Sequence, residues 1–375
     1  MQFAVKTINN LKWVPAYALH LLKTGTVPTT PQHLIIALAD HFEPCYSGNP
    51  GVFRPISEQI RSVRDWCVRY PQVVNEWRDA DGQPFKHTYF YPAEHYHPEV
   101  LEILAKHCQQ GWGEVEVHLH HGMDGPDTTE NTRKTLEAFR SRLVEHGCLS
   151  KLDNNATPQY AFVHGNWALA NSANGRYCGV DEEMQVLADT GCYADFTLPS
   201  APEPMQVAKV NSIYQCSLPL HRRSPHRRGH NLRVGTHSIT PPIIVQGPLT
   251  LDFGRRRRAV PSIENGEISS SNPATLHRLK LWRRAAIGVR GRPDWCFIKL
   301  HCHGMIQRDE SSMLGQLMTD FLRLLLETSR QTGTFEIHFV TAREMVNIIL
   351  AACEGLSGNP GGFRDHRFKL ITPPG

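Results

Sequence analysis

The feature that most limits what this chain can become is an alternation of short apolar, β-branched-rich runs with longer stretches of helical period. The runs are LIIALA (34–39), KHTYFY (86–91), EVEVHLH (114–120), YAFVH (160–164), CYADFT (192–197), CFIKLH (296–301) and FEIHFV (335–340), and each predicts a strand. Helices are expected near 55–70, 98–109, 129–146, 181–189, 274–287, 312–330 and 342–353. One helix start is well marked: Asp127 or Thr128 precedes Glu130, and Leu136, Phe139 and Leu143 follow on one face. Such repetition implies parallel strands with crossover helices, so chemistry is expected at the C-terminal strand ends.

The regularity fails between Ser200 and Pro273, where Pro, Gly, Ser and Arg accumulate, and a long insertion with a small β element of its own is expected there. The division that follows is a leader at 1–32 with an amphipathic helix around Pro15–Lys23, one α/β unit at 33–353 that includes the insertion (200–273), and a tail at 354–375. The net charge of +4 is unevenly spread. From His221 to Arg292 fifteen Lys or Arg stand against three acids, a net +12 that leaves −8 for the rest of the chain. A segment of that kind, densest at Arg255–Arg258, attracts an anionic glycan or lipid surface; no specific nucleic-acid partner is expected. Because no apolar run reaches eighteen residues and the start lacks the pattern of a secretory signal, no transmembrane segment and a cytoplasmic location are expected. The ten cysteines form no C-x-x-C pair and are expected to be reduced thiols, most of them buried.

The chain has twenty-one histidines, and those at 41, 118, 120, 121, 164, 301 and 303 stand at or just after the ends of predicted strands. In EVEVHLHHGMD, strand alternation puts Glu114, Glu116, His118 and His120 on one face. His120 and Asp124 then stand four apart across the strand exit, a spacing that suits two metal ligands, with His118 and His121 as nearby competitors. The first strand brings Asp40, His41 and Glu43 to the same rim, where a carboxylate serves either as a ligand or as a general base. Other rim residues are His164, Asn166 and Trp167, the last able to stack on a sugar ring. Asp195 is suited to orient a catalytic histidine, and His301 or His303 to act as a general acid.

The order of these segments resembles the five-motif pattern of the NodB-like polysaccharide deacetylases, carbohydrate esterase family four. ALADHFEP stands at the place of their T-F-D-D-G-x strand end, and EVHLHHGMD is similar to E-I-G-x-H-[ST]-x-x-[HDN]. VHGNWAL replaces R-x-P-Y, GCYADFT resembles G-[FY]-x-x-D-[FW], and KLHCHG resembles the final L-x-H element. The likeness covers about 33–200 and 274–353, with His41 in place of the second Asp and no motif-three Arg. It implies a distorted seven-stranded β/α barrel (NodB-like) and a divalent metal, zinc in the first instance, held by His120, Asp124 and His41 or Glu43. It implies Asp40 as base or ligand, His301 or His303 as the acid, and an N-acetylated sugar or glycan as substrate. Hydrolysis of another carbon–nitrogen bond, or glycan and envelope-complex binding without catalysis, are the alternative functions.

Overall fold

A computed structural model describes residues 11–24, 32–49, 51–153, 157–254 and 261–371. Arg255–Arg258, most of the leader and the last residues of the tail lie outside that range. The strands are β1 (Gln32–His41), β2 (His87–Pro92), β3 (Gly113–Leu119), β4 (Ser150–Leu152), β5 (Tyr160–His164), β6 (Cys192–Asp195), β7 (Ile213–Cys216), β8 (Gly229–Asn231), β9 (Ile243–Val245), β10 (Thr250–Asp252), β11 (Ser262–Glu264), β12 (Glu267–Ile268), β13 (Trp295–Cys302), β14 (Phe335–Val340) and β15 (Phe368–Leu370). The helices are α1 (Val14–Thr24), α2 (Ile56–Val74), α3 (Pro98–His107), α4 (Thr129–Glu145), α5 (Glu183–Asp189), α6 (Leu276–Arg284), α7 (Glu310–Leu314), α8 (Gln316–Thr332) and α9 (Ala342–Cys353). Every strand and helix expected from the sequence is present within a few residues, and Thr128 caps α4 by accepting from the Asn131 N–H.

Eleven strands form one mostly parallel sheet in the order β12-β13-β1-β2-β3-β5-β6-β9-β7-β8, with β14 also paired to β1. β1 is the hub. It pairs in parallel with β13 along its length, with β14 over its first half and with β2 over its last residues. The insertion departs from expectation. β10 and β11 make a hairpin of their own, but β9 pairs with β6, β7 with β9, and β12 with β13, so the insertion extends the main sheet. The reason is burial: Ile243–Val245 and Tyr214 are shut off from water, so the backbone of Ile243 and Ile244 pairs with the open edge of β6 and that of Tyr214 pairs with β9.

The two faces of the sheet are covered differently. Leu34, Ile36 and Leu38 pack with residues of α2, α3, α4, α5 and α8. Ile35, Ala37 and Ala39 share the opposite face with Ala161, Val163, Phe297 and helix α9, every residue of which is buried. Thr341 and Glu344 form a capping box at the start of α9, and Arg343 pins the helix down. Its guanidinium lies 2.7 Å from Glu114 Oε1 of β3 and donates to the Phe368 carbonyl, with both charged side chains nearly inaccessible.

Arg343→Met should therefore strand the Glu114 carboxylate in the core. A loss of about 3–5 kcal/mol is expected, read as a lower midpoint of urea unfolding at an unchanged m-value.

Candidate metal centre

Strand parity decides which rim residues can meet. On β1, His41 follows Ala37 and Ala39 onto the face that α9 covers, whereas Asp40 follows Leu38 onto the helix-packed face. His118 shares its face with Glu114, which reaches Arg343 of α9. His301 follows Phe297 onto the same side. The result is a nest of imidazoles: the His41 ring centroid lies 4.9 Å from His118, 4.7 Å from His303 and 6.3 Å from His301. His41 is held neutral, its pKa well below the usual value, first by burial and then by His303, His118 and His301.

Beside this nest, three side chains converge. Glu43, in the turn after β1, places Oε1 3.4 Å from His118 Nε2 and 3.2 Å from His120 Nε2. The other nitrogen of each ring is already committed. His118 Nδ1 donates to the Val163 carbonyl at 2.8 Å, and His120 Nδ1 donates to Glu94 Oε1 at 2.7 Å. With its single proton on Nδ1, each neutral ring points an Nε2 lone pair at the same carboxylate oxygen. Lone pairs do not face a carboxylate without a positive charge between them. His118 Nε2 is fully buried and has no hydrogen-bond partner in this arrangement. That positive charge is a second proton on a ring or a bound ion: burial acts to raise the Glu43 carboxyl, whereas protonated His118 and His120 bring it down to about 2, and Glu94 and Glu43 raise His120 above its usual value despite its burial. Two Nε2 atoms and an ionised oxygen, with outer partners fixing both rings, fit a divalent ion such as zinc.

No family model matches this chain, and no curated protein is similar to it. Among solved structures, an alpha-mannosidase from Enterococcus faecalis V583 aligns with a TM-score of 0.36 at 10% identity. The alignment covers 88% of this chain and 30% of the mannosidase, so this chain spans about a third of that protein's length.

Of the expected site residues, His41, Glu43, His120, His301 and His303 come to this face, together with His118. Four others do not. Asp40 is buried on the opposite face, where Oδ1 accepts from the Gly304 N–H at 2.7 Å and Oδ2 lies 3.2 Å from His87 Nδ1. Asp124 sits exposed in the turn after β3. His164 turns to the helix-packed side of β5 and meets His121. Asp195 accepts from Thr197 Oγ1, and its link to His164 runs through Thr197 to the His164 backbone N–H. Burial pushes the Asp195 carboxyl up to about 7. Asn166 donates to Met123 Sδ, and Trp167 packs half-buried beside Cys178 and Val180. Glu94 was not anticipated. Its signal was its position in the turn just after β2, the same rim as His120. A cleft of about 530 Å³ shares no residue with the nest around His41 and is lined by Lys209, His230, Arg233, His237 and Arg290 among others.

Metal content should follow this geometry. His118→Ala is expected to lose the metal at this site, and Glu94→Gln to weaken its binding about 10- to 100-fold. His146→Ala should change neither, since its ring is held by Glu102 and Tyr96 at the end of α4. Elemental analysis and competition with a chromogenic chelator measure both effects.

Proposed function

We propose that this chain is a metal-dependent hydrolase that removes N-acetyl groups from a sugar or glycan, a divergent relative of the NodB-like deacetylases whose strands curve into their distorted barrel. The observation that carries the reading is the convergence of His118 Nε2 and His120 Nε2 on Glu43 Oε1, with both Nδ1 protons accounted for. Glu43, His118 and His120 would hold a zinc ion, which would supply Lewis acidity toward a bound water and an amide carbonyl.

The remaining work belongs to the protein. Val163 and Glu94 hold the two imidazoles in one tautomer and one orientation. With Asp40 on the other face, proton transfer falls to His41 and His303. His303 is half-exposed while His41 is buried behind it, so His303 is the group placed to protonate a departing amine. One residue beyond Glu94, His95 lies against the exposed ring of Phe53, with centroids 4.5 Å apart. That pair offers an aromatic platform for the apolar face of a pyranose at the edge of the site. An anionic glycan would meet its charge complement in the cleft of Lys209, Arg233 and Arg290.

Incubation of the purified protein with N-acetylglucosamine oligomers should release acetate and free amine in equal amounts. His303→Gln is expected to lower kcat about 100- to 10,000-fold with metal content unchanged, and His118→Ala to lose metal and activity together. Acetate release that survives His118→Ala would overturn the reading. A metal-loaded protein that frees no acetate but opens a cyclic amide would move the assignment to another carbon–nitrogen bond.

A further inference from the structure

A second convergence lies one residue along the chain, on the other side of β5. His121, His164, Cys178 and Glu183 are all buried, and one ligand atom from each lies within 4.8 Å of the others. His121 Nε2 is 2.8 Å from Glu183 Oε1 and 3.1 Å from His164 Nε2, and His164 Nε2 is 3.3 Å from the same Glu183 oxygen. Cys178 Sγ stands 3.6 Å from Glu183 Oε2.

The protons are again placed elsewhere. His121 Nδ1 donates to Asp127 Oδ2 at 2.8 Å, and His164 Nδ1 donates to the Gly165 carbonyl. Two Nε2 atoms and a carboxylate oxygen are left facing one another inside the protein, with a thiol beside them; despite burial, Glu183 and Asp127 raise His121 to about 12, so a positive charge, proton or ion, belongs at its Nε2. A tetrahedral zinc with bonds of about 2.0–2.1 Å to nitrogen or oxygen and about 2.3 Å to sulfur separates its ligand atoms by roughly 3.3–3.6 Å. The two spacings to His164 Nε2, 3.1 and 3.3 Å, are close to that, the 2.8 Å between His121 and Glu183 is shorter, and Cys178 Sγ adjoins the second Glu183 oxygen.

We propose that His121, His164, Cys178 and Glu183 form a closed, structural zinc site, distinct from the centre built on Glu43, His118 and His120. Four protein ligands with no exposed position are the pattern of a structural ion. On binding, the Cys178 thiol gives up its proton to solvent and the thiolate takes its place on the ion.

The site has a mechanical use. Between β5 and α5 the chain carries Asn166, Trp167, Ala170, Asn171, Asn174 and Tyr177 at positive φ, a shape that local preference does not supply. His164 and Glu183 bracket this segment and Cys178 lies within it, so one ion ties both ends and the middle to the exit of β3. The same segment backs the other centre, because a Cβ on Gly165 would overlap the His120 ring.

The test is cobalt replacement of zinc in the full chain. Cobalt at this site gives a thiolate-to-metal charge-transfer band in the near ultraviolet, which a centre of two His and one Glu lacks. The band is expected in the wild type and in His118→Ala, and its loss is expected in Cys178→Ser. Elemental analysis should give about two zinc ions per chain in the wild type and about one in each variant. A wild-type spectrum without the band overturns the proposal even if a variant fails to fold, as does a band or zinc content unchanged in Cys178→Ser. Neither readout depends on whether acetate is released from any substrate.

Discussion

Two imidazoles, each with its Nδ1 proton committed to an outer partner, turn their Nε2 atoms to a single carboxylate oxygen. That opposition is unfavourable alone and favourable around a cation, and much of the rim is arranged to maintain it. The β3–β5 pairing brings the Val163 carbonyl to His118 Nδ1. The turn after β2 delivers Glu94 to His120. The chain leaving β1 brings Glu43 to both. Each partner comes from a different strand end, so the site exists only if the parallel order of β1, β2, β3 and β5 is made correctly.

The α/β alternation and the mostly parallel sheet were legible in the sequence because the strands and helices each obey one period. LIIALA, EVEVHLH and CFIKLH are apolar or alternating over lengths that only strands use, and all became strands of the main sheet. The insertion was harder to read. Short pieces such as Ile243–Val245 carry no period, and only the open edge of β6 tells them where to pair. The candidate site was legible by position and not by parity. Asp40 and His41 are neighbours in sequence, yet the one-residue step between them places them on opposite faces, which separates Asp40 from the histidine nest.

What spacing could not show was supplied by loops. Asp124 fits a four-residue return across the strand exit, but the turn after β3 leaves it exposed while Asp127 closes on His121. Cys178 forms no C-x-x-C pair, and Glu183 lies 62 residues from the His121 ring that it touches. Such partners meet only once the left-handed segment after β5 is in place. His120 and His121 thus look toward two different clusters because they leave the strand on opposite sides.

The central claim is that the triad of Glu43, His118 and His120 is a metal centre. Anomalous diffraction from crystals of the zinc-loaded protein, collected on either side of the zinc absorption edge, tests it most directly. The account predicts an edge-dependent peak within about 2.0–2.2 Å of His118 Nε2, His120 Nε2 and a Glu43 oxygen. Crystals of zinc-loaded protein with no anomalous density between those three atoms, and with the Glu43 carboxylate hydrogen-bonded directly to protonated imidazoles, would contradict it.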